Sequence, residues 1–139
     1  MKLRFFKKLR GSTVVEMMTV VFIIAGIASM IIPNIQRAVS KAKYTGCISN
    51  IRNMATSLEQ YKNEDHEGKY PDTLVAICPR FIQSVPICPD AKRDTYTTGY
   101  EVSSDRKNYT LMCKGHNHAD LGLPADMPYF NLQTGGLKE

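Results

Sequence analysis

The side chains of this 139-residue chain best suited to covalent or metal chemistry are four cysteines, Cys47, Cys78, Cys88 and Cys113. Thiols form disulfides in an oxidising compartment, whereas thiolates bind metals or act as nucleophiles. Four cysteines allow three complete pairings, and sequence alone does not choose among them. Their chemistry therefore depends on the compartment in which this part of the chain lies.

Disulfides are the chemistry that we expect for these cysteines. All four follow a long apolar segment, and the basic residues before that segment place them outside the cytoplasm. A disulfide there stabilises a small domain by roughly 2 to 4 kcal/mol. Cys88 with Cys113 is the first pairing, because it ties a proline-rich loop to a predicted strand. Cys47 pairs with Cys78 or packs as a small hydrophobic residue, and free thiols are a further alternative.

A zinc site is the other interpretation of the same region. Cys113 is followed by His116 and His118, and Cys78 and Cys88 could complete a set of sulfur and imidazole ligands. The sequence has no C-x-x-C pair, however, and the spacing matches no known zinc finger. We therefore expect disulfides and no metal.

Calcium binding and catalysis are two further chemistries that the sequence favours less. Catalysis needs a nucleophile with a base, or a pair of acids; the candidates are His66, His116 and His118 with a cysteine, and nothing in the sequence fixes them together. Five aspartates occur in loop-like sequence, but no D-x-D-x-D-G pattern gathers them, so loop solubility explains them better than calcium does. We expect no cofactor and no enzymatic activity. The aspartates are Asp90, Asp94, Asp105, Asp120 and Asp126.

A lone carboxylate, Glu16, interrupts twenty otherwise uncharged residues, 13–32. A helix of this length rises about 30 Å, which matches the hydrocarbon core of a bilayer. A carboxylate near the end of such a helix needs a partner, because charge in an apolar environment is costly. The alternative is a residue that only extends toward the lipid headgroups.

The excess of basic residues lies before that apolar segment. Residues 1–11 contain 5 of the 18 basic residues and none of the 13 acidic ones, so the remainder has 13 of each sign. The net charge of +5 therefore indicates membrane orientation, and no nucleic-acid partner is expected. A secretory signal peptide is disfavoured, because the apolar segment is longer than its usual apolar region and no A-x-A site follows.

The apolar segment begins one long predicted helix, from residue 12 to about 65. Pro33 lies inside it, where a bend or local melting is expected. Gly68 and Pro71 are signals that end it. Its second half is amphipathic, with apolar residues spaced three and four apart along one stripe. These are Cys47, Ile51, Met54, Leu58 and Tyr61.

Short elements are predicted after the helix. Residues 72–77 predict a helical turn with Asp72 as its cap, and a proline-rich loop follows. Two segments that alternate in polarity, 96–102 and 109–113, predict an antiparallel hairpin with its turn at 103–107. A further short strand is predicted near 129–132. The predicted fold class is α+β: a long N-terminal helix, transmembrane in its first half, packed by a small antiparallel sheet.

The segment F-F-K-K-L-R-G-S-T-V-V-E-M resembles the start of proteins of the type IV pilin superfamily. That superfamily includes type IV pilins, the pseudopilins of type II secretion and related competence subunits. The resemblance implies cleavage after Gly11 by a prepilin peptidase and methylation of the new amine on Ser12, where the family usually has Phe or Met. It also implies that Glu16 pairs with the N-terminal ammonium of a neighbouring subunit. Pro33 matches the family's frequent helix proline.

The resemblance implies a structural subunit of a type IV pilus or of a type II secretion pseudopilus-like filament, either as a pseudopilin or as a minor pilin. Its expected ranges are a prepilin leader (1–11), a transmembrane and assembly helix (12–33), the amphipathic half of that helix (34–65) and a small globular β-containing domain (66–139). A monomeric, membrane-tethered extracytoplasmic binding module, with a ligand site in the loop of His116 and His118, is the alternative.

The same resemblance implies partners and a location. The partners are other pilin-like subunits, the prepilin peptidase, an inner-membrane assembly platform with its ATPase, and membrane lipid before assembly. The expected location is the inner (cytoplasmic) membrane, crossed once with the N-terminus in the cytoplasm. After assembly the subunit would lie in a periplasmic or cell-surface filament.

Overall fold

The computed structural model describes residues 13–138. Over this range the chain forms one long helix, two 3₁₀ helices and one antiparallel sheet. The predicted leader, Gly11 and Ser12 lie outside the described residues. The helix is α1 (Val14–Glu64), the strands are β1 (Tyr100–Val102), β2 (Tyr109–Met112), β3 (Tyr129–Asn131) and β4 (Gly136–Lys138), and the 3₁₀ helices span Leu74–Ile77 and Ala119–Leu121. This α+β architecture confirms the predicted fold class.

The chain divides into two compact units, one ending at Gln36 and the other beginning at Arg37. The second unit contains the sheet and the hydrophobic core. The four functional ranges predicted from the sequence stay predictions.

A reciprocal pair of hydrogen bonds forms the start of α1. The backbone N–H of Glu16 donates to Thr13 Oγ1 at 3.3 Å, and the N–H of Thr13 donates to Glu16 Oε2 at 2.8 Å. This arrangement is a capping box, which satisfies backbone donors that the first turn leaves free. The helix continues through Pro33, so the expectation of local melting there is wrong. One lost hydrogen bond is tolerated because the turns on both sides propagate the helix.

The apolar stripe on the second half of α1 forms one side of the core. Cys47, Ile51, Met54 and Leu58 have no exposed surface, which confirms the stripe that the spacing predicts. Tyr61 is partly buried and contributes its ring to the edge of the same core. The helix therefore supplies a preformed apolar face for the rest of the small unit.

The four strands form an antiparallel sheet in the order β1-β2-β3-β4. Along β2, Tyr109 and Leu111 are buried, whereas Thr110 and Met112 are half-buried. This alternation places one face of the central strand in the core that α1 shares. The antiparallel hairpin predicted from segments 96–102 and 109–113 is thus confirmed. Its register pairs Tyr100 with Leu111.

The first strand begins later than the sequence predicts. Asp94 Oδ1 accepts hydrogen bonds from the backbone N–H groups of Tyr96 and Thr97, and the N–H of Gly99 donates to the carbonyl of Tyr96. The polarity alternation at 96–99 therefore belongs to a turn, because the aspartate side chain offers the backbone local partners in place of a strand. β4 is an addition that the sequence did not predict.

The turn at 72–77 also differs from its prediction. The 3₁₀ helix Leu74–Ile77 has Thr73 at its cap position, without a side-chain capping bond, so the prediction of Asp72 as cap is wrong. Asp72 instead lies 3.2 Å from Arg106 Nε. The Nε–H of Arg106 also donates to the carbonyl of Tyr70 at 2.7 Å. Asp72 thus has a cationic partner, and charge-assisted contacts are stronger than a hydrogen bond to a neutral backbone N–H.

Candidate functional site

The N-terminal half of α1 has an apolar surface that the single chain leaves uncovered. An 18-residue window there has a mean hydropathy of 2.3, and the described part of the chain buries none of it. Phe22 is 81% exposed and Val14 is 75% exposed. Apolar surface in water costs about 25 cal/mol per Å², so a surface of this extent requires lipid or other helices as its environment.

Glu16 is the only acidic residue in the first turn of this helix, where the structure uses it as a cap. The T-x-x-E pattern of residues 13–16 is the sequence signal of a capping box, and our sequence interpretation did not use it. Pro33 lies about five turns further along α1. The two residues predicted to take part in assembly therefore lie at different places on the helix.

A second candidate site lies inside the globular unit, where three of the four cysteines meet one histidine. The Sγ of Cys47 lies 3.3 Å from that of Cys88 and 4.0 Å from that of Cys113. The Sγ atoms of Cys88 and Cys113 are 3.6 Å apart, and Nε2 of His118 lies 3.9 Å from Cys113 Sγ. We call these four residues the Cys₃His cluster. All of them are buried, and their ligand atoms lie within 4.8 Å of one another.

Each member of the Cys₃His cluster comes from a different segment. Cys47 is on the buried stripe of α1, and Cys88 lies in the proline-rich loop. Cys113 directly follows β2, and His118 directly precedes the second 3₁₀ helix. The packing of these segments brings residues far apart in sequence together, which is why spacing did not predict the cluster.

The remaining predicted ligands lie elsewhere. Cys78 is half-buried and outside the cluster, and His116 and His66 are exposed. All four cysteines are free thiols in the structure. The pairing of Cys88 with Cys113 stays a prediction, and Cys47 meets both of these residues instead of Cys78.

Hydrogen bonding makes the thiols of the cluster unequal. The contact with Cys47 lowers the pKa of the Cys113 thiol, and donors from Thr95 and Asn117 at 3.2 and 3.3 Å act in the same direction. The contact with Cys113, together with burial, raises the pKa of Cys47. Cys113 therefore holds negative charge more readily than Cys47 does.

One aspartate, Asp90, is associated with the cluster. Its Oδ1 accepts from Lys43 Nζ at 2.9 Å, and its Oδ2 lies 3.5 Å from Nδ1 of His118. Three of the other aspartates accept hydrogen bonds from backbone N–H groups, so they also hold loop structure, beyond the loop solubility predicted for them. They are Asp94, Asp105 and Asp126.

Comparison with known proteins identifies the family. Over 90 residues the chain is 30% identical to the competence protein ComGC of Bacillus subtilis (strain 168), a type IV pilin-like protein. The match covers 65% of this chain and 91% of that relative. The chain belongs to the type IV pilin superfamily. The resemblance predicted from the first residues is thus confirmed.

Two further relatives of this pilin-like chain are type II secretion system core proteins G. The protein of Escherichia coli (strain K12) is 36% identical over 66 residues, which are 48% of this chain and 44% of the relative. That of Pectobacterium carotovorum subsp. carotovorum is 33% identical over 64 residues, which are 46% of this chain and 40% of the relative. The chain thus spans less than half the length of these two proteins. No protein-family model and no solved structure matches it.

Proposed function

We propose that this pilin-like chain is a structural subunit of a pilus or pseudopilus filament that assembles through the first half of α1. The observation that supports this most directly is the uncovered apolar surface of that half-helix in a chain whose relatives are filament subunits. The same surface suits a single-pass membrane protein before assembly. Those relatives are structural proteins and not enzymes, which agrees with the expectation of no catalytic activity.

Assembly through this helix needs more than apolar contact. Lipid chains are as apolar as leucine, so exchanging lipid for neighbouring helices brings little hydrophobic gain. Close packing and polar pairing must therefore supply the preference for the filament. Glu16 is the charge placed to do this, with the N-terminal ammonium of a neighbouring subunit as its partner.

Processing and partners follow from the leader motif. We propose that a prepilin peptidase cuts after Gly11 and methylates Ser12, with the N-terminus in the cytoplasm beforehand. An assembly platform with its ATPase would then insert the subunit among other pilin-like subunits. Support for these steps comes from the basic leader and from the neutral formal charge of the rest of the chain.

The alternative of a monomeric binding module is not favoured. It relied on a ligand site formed by the loop of His116 and His118, but His118 is 3% exposed and faces the Cys₃His cluster. A ligand from solvent would meet only one of the two imidazoles.

Three substitutions separate the two roles of Glu16. Glu16→Gln keeps an acceptor for the capping box but removes the charge, Glu16→Ala removes both, and Thr13→Val removes the hydroxyl of the cap alone. Loss of one partner of a buried ion pair costs roughly 3 to 5 kcal/mol. We therefore expect both Glu16 variants to lose filaments and Thr13→Val to retain them. The measurement is the amount of mature chain in sheared filament fractions from cells that contain the assembly machinery.

Glu101→Gln is the matched control, because it neutralises an exposed carboxylate on β1. It should leave filament yield unchanged. Membrane fractions must contain equal amounts of each variant, so that a loss of filaments reports assembly and not insertion. Normal filaments with Glu16→Gln would show that the residue serves only as a cap, and a wild-type chain that never enters a filament would contradict the proposed function itself.

A further inference from the structure

We propose that Cys47, Cys88, Cys113 and His118 bind one structural zinc ion. This inference concerns the globular unit and is independent of how the helix assembles. It revises the expectation from sequence, which favoured disulfides and named His116 and Cys78 among the possible zinc ligands.

The spacing of the ligand atoms fits tetrahedral zinc. Zinc–sulfur bonds of about 2.3 Å at tetrahedral angles place neighbouring sulfurs about 3.8 Å apart. The three sulfur–sulfur distances in the Cys₃His cluster are 3.3, 3.6 and 4.0 Å. The distance of 3.9 Å from Cys113 Sγ to His118 Nε2 lies in the same range. Because the four ligand atoms lie within 4.8 Å of one another, one ion at the centre would reach all of them once the widest pair closes by about 1 Å or less.

The other nitrogen of His118 provides a second, independent observation. Nδ1 is buried and has no hydrogen-bond partner among residues 13–138, although Asp90 Oδ2 is only 3.5 Å away. Histidines that bind zinc through one nitrogen commonly donate the N–H of the other to a carboxylate. Zinc at Nε2 fixes the proton on Nδ1, and a small movement then completes the bond to Asp90. Lys43 already holds that carboxylate in place at 2.9 Å.

The composition of the cluster favours a metal over a disulfide. A disulfide between any two of the three sulfurs leaves the third thiol without a covalent partner, beside a buried imidazole. Zinc uses all three thiolates and the imidazole together. Thiolate and imidazole ligands select zinc over the harder calcium and magnesium ions. Four protein ligands in a closed, buried set leave no open position for a substrate, so the role is structural.

Such an ion would bind four segments of the globular unit to one another. It would connect α1 to the proline-rich loop, to the end of β2 and to the loop before the second 3₁₀ helix. The strands of this unit contain only three or four residues each. A metal stabilises a small domain with so little sheet, because the ion binds the folded chain and not the unfolded one. The free energy of binding therefore adds to the free energy of folding.

The test uses the full chain, purified in detergent under reducing conditions with zinc. We expect one zinc per chain by elemental analysis for the wild type and for Cys78→Ser, which removes the one cysteine outside the cluster. Cys113→Ser and His118→Ala should lose the bound zinc. Cobalt in place of zinc should give the ligand-field and thiolate charge-transfer bands of a tetrahedral site in the wild type and in Cys78→Ser. These bands should be absent from Cys113→Ser and His118→Ala.

Asp90→Asn is the variant that separates weaker zinc binding from a failure to fold, because it leaves all four ligands in place. We expect it to bind zinc with roughly 10- to 100-fold lower affinity, measured by competition with a chelator. Three results would overturn the proposal. They are a wild-type chain without zinc, zinc that is lost with Cys78→Ser, and a mass two hydrogens lower that maps to a disulfide within the cluster when the chain is purified with zinc but without reductant.

Discussion

At the scale of single residues, backbone crowding at Gly99 is the constraint that the structure adds to the sequence. A Cβ built on this glycine would lie 2.1 Å from the carbonyl oxygen of Met112. The same two residues are joined by a hydrogen bond from the N–H of Met112 to the carbonyl of Gly99 at 3.0 Å. The glycine therefore allows two backbones to approach where β1 and β2 begin to pair.

Gly99→Ala should lower the free energy of unfolding by about 1–3 kcal/mol, the usual cost of forcing atoms into a packed site. The measurement is denaturant unfolding of the full chain in detergent. Gly26→Ala is the control, because a Cβ there meets nothing within 4 Å, and it should leave stability the same or slightly higher. Equal stability of the Gly99 variant and the wild type would mean that the strands separate at this point without cost.

Sequence reasoning at this scale found the reactive residues but not their arrangement. Cys88 and Cys113 were predicted to form a disulfide, which stays a prediction; their Sγ atoms lie 3.6 Å apart. The placement of Cys47 and His118 beside them depends on how α1 and the loop before the second 3₁₀ helix pack on the sheet. Long-range packing of this kind has no signature in the spacing of residues along the chain.

At the scale of secondary-structure elements, the buried stripe of α1 is the main source of stability that we identify in the globular unit. Its residues contact the tyrosines and aliphatic residues of the sheet side in a single core cluster. Leu58 has no exposed surface, whereas Val75, on the first 3₁₀ helix, is 54% exposed. The two positions therefore offer a direct comparison of buried and exposed side chains.

Leu58→Ala should lower the free energy of unfolding by about 2–5 kcal/mol, because it removes buried methyl groups and leaves a cavity. Val75→Ala should change it by no more than about 0.5 kcal/mol. Thermal or denaturant unfolding followed by circular dichroism measures both. A Leu58 variant as stable as the Val75 variant would show that α1 does not pack on the sheet as described.

The elements differ in how well sequence predicts them, for a physical reason. The helix and its buried stripe are predicted from a hydrophobic periodicity that continues over many turns. A pattern repeated this often is reliable even when single positions depart from it. β4 has only three residues, Gly136–Lys138, and begins with glycine, so it shows neither alternation nor strand propensity. The start of β1 was misplaced because Asp94 competes locally for the backbone donors.

At the scale of the whole molecule, buried phenols predict how the globular unit responds to alkaline pH. Burial and a hydrogen bond to Glu59 raise the pKa of Tyr70, and burial raises that of Tyr109. The two rings also pack edge-on, with centroids 4.7 Å apart. Both phenols are therefore neutral in the folded chain at a pH where they ionise in the unfolded chain.

The sign of the effect follows from the raised folded pKa. The stabilisation by the neutral phenols is complete below the unfolded pKa of about 10 and is lost as the pH rises above it. We expect the free energy of unfolding to change little with these groups up to that pH and then to fall. Tyrosinate absorbance and circular dichroism should change together in an alkaline titration. Full ionisation at about pH 10 with the fold intact would contradict this prediction.

The capping box at the start of α1 also bears on how a filament could grow. The N–H of Thr13 donates to Oε2 of Glu16, which leaves Oε1 able to accept from another donor. An ammonium from an incoming subunit can therefore be added without first unwinding the first turn. Under the proposed function, growth by this route would be addition and not exchange. A subunit stored in lipid and a subunit within the filament would then share the same helix start, and each docking step would avoid the delay of local refolding.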